Sequence, residues 1–186
     1  MSQYYFVVSS LPLLRYDEPP PFSLWHFLGL CREWLGTTSN STVVAAELKE
    51  LKAAPGASSI LESWRVWETN LRNELAKIRA QRKGVDPFGY LAECQWVMGL
   101  AELAQEAMGA SSPLEAENVL DRARWRYLEE LEVGHHFDTE KLVLYSLKLQ
   151  LLQRRALFQR DEGEQQFSQI TKDLRAKIMG GESFYG

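Results

Sequence analysis

Apolar side chains recur at three- and four-residue steps through most of the chain. The clearest case runs from Ser58 to about Arg82. There Ile60, Trp64, Trp67, Leu71, Leu75 and Ile78 make one continuous stripe at helical spacing, and Gly84 ends it. Asp86-Pro87 reads as an N-cap with proline at the first helical position. The helix it opens runs to about Met108, with only Gln95, Glu102 and Glu106 on a wet side. Ser112-Pro113-Leu114-Glu115 carries the capping-box signature and starts a helix that ends near Gly134. Asp138 or Thr139 caps another helix, to about Glu162, which is apolar nearly all round. Such a helix belongs at the centre of a fold. Glu164 to Met179 suggests a last helix, followed by the tail GGESFYG.

The N-terminal part is less regular. Tyr4 to Leu14 is aromatic and β-branched, and reads either as a strand or as a short buried helix. Pro12 and then Pro19 to Pro21 end it as extended chain. Ser23 caps a helix over Leu24 to Leu35, stopped by Gly36. TTSNST, residues 37–42, reads as a linker, and Val43 to Ala53 as a short helix closed by Pro55-Gly56. Six or seven helices on short loops predict an all-α bundle, with the first ~20 residues extended or forming a short buried segment. The length of 186 residues fits one domain. It is also compatible with a lobe of short helices over 1–56, a main long-helix bundle over 57–180 and a flexible tail at 181–186.

Composition narrows the picture. The net charge of −4 argues against nucleic acid as a partner, because phosphate contacts need a basic surface. The two cysteines, Cys31 and Cys94, are far apart and read as buried thiols of a reducing compartment. The N-terminus lacks the basic start of a signal peptide, and no stretch reaches the ~18–20 apolar residues of a membrane span. The expected location is cytoplasmic, with contact to the inner face of a membrane only through a partner.

Candidate chemistry concentrates in SPLEAENVLDRARWRYLEEL. At about 100° per residue, Glu117, Asp121 and Arg124 fall between two apolar patches of its helix. Glu117 and Asp121 are four apart, a like-charge pair that needs cations. Two basic rows offer them: Arg65, Arg72 and Arg79 on the long helix, and Lys141, Lys148 and Arg155 on the central one. The expectation is an ion-pair network, between helices or with a partner, of Glu117, Asp121 and Arg124 with Arg72, Arg79, Lys148 and Arg155. The competing readings are solvated edges with snorkelling stems, and a catalytic carboxylate pair. His135-His136-Phe137-Asp138 reads as a turn beside a helix cap, since adjacent histidines share no face. No HExxH, GxSxG or glycine-rich phosphate loop occurs, so no catalytic residue, metal or cofactor is assigned. Of the six tryptophans most read as core, and Trp96 and Trp125 are the candidates for a partner surface.

Several stretches taken together carry a family resemblance. YYFVVSSLPLL, DEPPPFS, NLRNELAKIRAQRKG, SPLEAENVLDRARW and FDTEKLVLYSLKLQLLQR resemble a bacterial family of unknown function, typically encoded among the subunits of V-type (V/A-type) ATPases. The tyrosine-rich start and the alternating acidic and basic helices also look like a reduced form of the rotary ATPase C/d subunit, a helical socket between rotor stalk and membrane ring. The chain is shorter than that subunit. The resemblance implies a non-enzymatic subunit or assembly factor, with rotor-stalk or ring subunits as partners. The alternatives are a helical adaptor or regulator unrelated to the ATPase, and a hydrolase using Glu117 and Asp121 or His135 and His136.

Overall fold

A computed structural model describes residues 2–44, 46 and 58–158. They are all-α, with no strand among them. The helices are α1 (Ser2–Ser10), α2 (Leu24–Trp34), α3 (Thr37–Val44), α4 (Ser59–Lys83), α5 (Leu100–Gly109) and α6 (Pro113–Leu131). A seventh, α7, occupies residues 139–158. A single 3-10 turn, Phe88–Tyr90, lies between α4 and α5.

The chain's own chemistry sets most of these limits. Ser58 Oγ accepts the Leu61 amide at the start of α4, and Gly84 ends that helix with φ +65°, a left-handed conformation that suits glycine. At α6 Ser112 Oγ accepts the Glu115 amide and Pro113 occupies the first turn. Glu115 reaches one residue further back than an ordinary capping box, taking the backbone N–H of Ser111 at 3.0 Å. Asp138 Oδ1 accepts the Lys141 amide at 2.8 Å and so caps α7.

The structure decides one open reading and changes two expectations. The segment Tyr4 to Leu14 is helical through Ser10 and then extended, with Val7 buried and Tyr4, Val8 and Leu11 packed beside the core. That is a helical spacing, and Pro12 stops it. Residues 37–42 are the start of α3 rather than a linker. The long helix expected from Asp86 to Met108 is broken: residues 91–97 have no regular structure, and α5 begins only after Gly99 at φ +85°. The remainder of the helix expected over Val43 to Ala53, the last helix and the tail lie outside the described residues.

α4 packs on α5 and α5 on α6, while α1 packs on α2 and α2 on α3. α7 runs through the middle, with residues 142–149 all buried. Phe27 of α2 packs on Tyr145 of α7 with ring centroids 5.1 Å apart. Trp64, Trp67 and Tyr127 form a stack between α4 and α6. The buried side chains make one cluster from Val7 to Leu152.

Candidate functional site

Three helices meet at a chain of alternating charges. Arg124 of α6 lies at its centre and is almost fully buried. Its Nε and Nη2 donate to the two oxygens of Glu68 on α4, at 2.9 and 3.0 Å. Its Nη1 donates to Asp121 Oδ1 at 2.9 Å. The planar guanidinium fork suits this, because one side chain can serve two carboxylates in fixed directions. Arg72 closes the α4 end on Glu68 Oε1 at 3.0 Å. Arg154 of α7 closes the other end, donating to Asp121 Oδ1 and, at 3.3 Å, to Glu117 Oε2. The chain therefore holds three carboxylates and three guanidiniums. Glu68 and Asp121 are buried, whereas Glu117 and Arg72 sit at its wetter rims. Such a balanced group holds α4, α6 and α7 in one register more than it adds net stability.

Of the residues singled out from the sequence, Glu117, Asp121, Arg124 and Arg72 are brought together. Arg79, Lys148 and Arg155 are not, which corrects that expectation. Arg79 is exposed on α4. Arg155 donates to the Tyr16 carbonyl and stacks on the Tyr16 ring, with Asp17 at 3.5 Å. Lys148 pairs instead with Glu132. Two members of the network were missed. Glu68 lies four residues after Trp64 and three before Leu71, an acid inside the apolar stripe of α4, which was the available signal. Arg154 gave none, because α7 is apolar nearly all round and periodicity could not choose between neighbours 154 and 155.

A second charged group lies where the end of α6 meets α7. Glu132, just past α6, accepts from both Lys141 and Lys148. Lys148 also stands 5.2 Å from the ring centre of Trp125. Trp125 is only 5% exposed, so its assignment to a partner surface is corrected. Tyr16 meets it edge-on at 5.7 Å, and its indole N–H donates to Glu129 at 2.7 Å. The N-terminal segment and α7 cover the patch that the sequence left open. Burial pushes the Glu132 carboxyl up, but the hydrogen bonds and charges of Lys141 and Lys148 outweigh that and hold it below its ordinary 4.5. A lowered folded value means the unfolded chain takes the proton first. The Glu132 contribution is therefore complete above about pH 5 and lost as pH falls through the depressed value. Glu132→Gln should be less stable than wild type near neutrality, with the gap closing on acidification. Urea midpoints of both proteins across that range check this.

Trp96, by contrast, lies on an exposed strap. Residues 91–97 run along α4, held by side-chain amides. Asn73 donates to the Ala92 carbonyl at 2.8 Å and accepts the Ala92 amide at 2.9 Å, as a neighbouring strand would. Asn70 donates to the Gln95 carbonyl. On the strap Trp96 (75% exposed) faces outward, and at its two ends so do Phe88 (83%), Tyr90 (72%) and Met98 (79%). Cys94 is on the strap and exposed, not in a helical core as read from the sequence. Cys31 is buried, which pushes its thiol up to about 12 and leaves it a packing residue.

His135 Nδ1 pairs with Asp138 Oδ2 at 2.7 Å, in the turn that Asp138 converts into the α7 cap. Among the described residues no group of His, Cys, Asp and Glu is placed to hold a metal ion, and no helix is long and apolar enough to cross a membrane. The chain matches no curated protein and no solved structure. Residues 96–178, which include α5, α6 and α7 and four of the six network residues, match the family described as Protein of unknown function (DUF2764).

Proposed function

We propose that the protein is a non-catalytic helical subunit or assembly factor of a bacterial V-type ATPase, C/d-like in role, that works through protein–protein contacts on the cytoplasmic side. The observation that carries the interaction reading is the strap. Trp96 on the strap and Phe88, Tyr90 and Met98 at its two ends stand outward, and Asn70 and Asn73 hold the backbone between them at Ala92 and Gln95. Aromatic and methionine side chains are enriched in the centres of interfaces, and a preformed surface binds without the cost of ordering it. The network offers shape in the same sense, since it ties α4, on which the strap is mounted, to α6 and α7. The choice of the ATPase as partner rests on the family resemblance of the N-terminal, α4, α6 and α7 stretches. Any membrane association would be indirect, through rotor-stalk or ring subunits.

The test is co-purification from the native cell in mild detergent. A tagged wild-type chain should bring down V-type ATPase subunits, and Phe88→Ala with Trp96→Ala should lower their recovery about tenfold at unchanged melting temperature. Intact ATPase in the extract with none of it on the tag would sink the ATPase reading. Recovery unaffected by the double variant would sink the strap as the contact. Capture of a defined partner outside the ATPase, lost in the same variant, would favour the helical adaptor reading instead.

A further inference from the structure

A cavity of 260 Å³ lies between the N-terminal segment and α7. One wall is apolar and comes from Val8, Leu11, Pro12 and Leu14. The rest of the lining is polar, formed by Glu132, Lys141, Lys148 and Tyr145. Leu13, which is exposed, stands at the edge. The charge balance here differs from that of the arginine network. Three carboxylates meet three guanidiniums there, whereas here two ammonium groups face one carboxylate.

One of the two ammonium groups is buried. The Lys148 side chain is only 7% exposed. An ammonium has three donors, and each lysine gives one of them to Glu132. The Trp125 ring face lies on one side of Lys148 without taking a hydrogen bond. The Tyr145 hydroxyl is engaged with the Pro12 carbonyl at 3.1 Å and does not compensate the charge. A buried cation that is only partly matched is costly, and a second anion would relieve it.

We propose that this cavity is a binding site for a small organic anion, a short-chain carboxylate whose head pairs with Lys141 and Lys148 while its apolar body lies along Val8, Leu11 and Leu14. Its size supports a small ligand, because sites for drug-sized molecules span about 300–1,000 Å³. The apolar wall disfavours inorganic anions, which have nothing to bury there. The excess positive charge disfavours amines and gives neutral alcohols no advantage. The site shares no lining residue with the strap.

Hexanoate is the probe, titrated by calorimetry and by thermal shift against the full chain. Saturable binding with a raised melting temperature is expected, with acetate and hexanol at least tenfold weaker and hexylammonium without effect. Lys141→Gln, at a partly exposed side chain, should weaken hexanoate about tenfold, as losing a charged hydrogen bond does. Leu13→Asp adds a negative charge at the mouth on an exposed side chain, so it should weaken hexanoate similarly while the fold stays intact. It decides the matter if Lys141→Gln does not fold. No heat and no shift with hexanoate at about 10 mM would overturn the proposal. So would equal binding of hexanol, or affinity unchanged in a folded variant.

Discussion

Replacing Arg124 by alanine lowers the unfolding free energy by about 3–5 kcal/mol, the range for breaking a buried ion pair from one side. The substitution removes a guanidinium that serves both Glu68 and Asp121, each almost completely buried. Asp121 keeps Arg154, but among the described residues Glu68 keeps only the half-exposed Arg72. The loss is therefore dominated by the Glu68 charge left behind. Glu68→Ala added to Arg124→Ala should cost much less than the sum of the two, with a coupling above about 1 kcal/mol. Glu117→Ala and Lys148→Ala share no ion-pair partner and should add within about 0.5 kcal/mol. Urea unfolding followed by circular dichroism measures all of these. Full additivity of Glu68→Ala and Arg124→Ala would remove the idea that the two act as one unit.

Trp64→Ala is the second large effect, again about 3–5 kcal/mol, but through volume rather than charge. Trp64 is 1% exposed and stacks with Trp67 at 5.8 Å and with Tyr127 at 6.4 Å. Alanine leaves a hole at the α4–α6 seam whose neighbours are held by their own stacking, so the site cannot simply close. Trp64→Phe should be clearly milder. The indole N–H of Trp64 has no hydrogen-bond partner among the described residues, so phenylalanine removes an unmatched donor together with part of the ring. Thermal melts of the two variants separate the effects. An alanine loss under about 1 kcal/mol would mean that the stack collapses into the gap.

Much of the architecture was readable because single residues act locally. Ser58, Gly84, Ser112 and Asp138 mark helix ends by capping chemistry that needs no tertiary context. The α4 stripe placed Trp64, Trp67, Leu71 and Leu75 in the core. The failures have a common cause, which is information carried by a distant segment. Residues 91–97 contain good helix formers, yet the amides of Asn70 and Asn73 hold them against α4 without regular structure. Trp125 looked free because its cover comes from Tyr16 and Lys148, both remote in sequence. In the candidate site, Asp121 and Arg124 were legible from their position between two apolar patches. Their partners were not. A cation row repeated every seven residues shows which side chains share a face, but not the level at which another helix crosses it. Hence Arg72 meets the network while Arg79, seven residues on, points to solvent.

The way the strap is fastened has an evolutionary consequence. Its hold on α4 runs through the main chain of Ala92 and Gln95, which any non-proline residue at position 92 and any residue at position 95 would supply equally well. The outward residues at 88, 90, 96 and 98 contribute little to the core. Mutation can therefore rewrite the contact surface almost independently of stability, and Asn70 and Asn73, rather than the aromatic side chains, are the positions where drift is constrained by the fold.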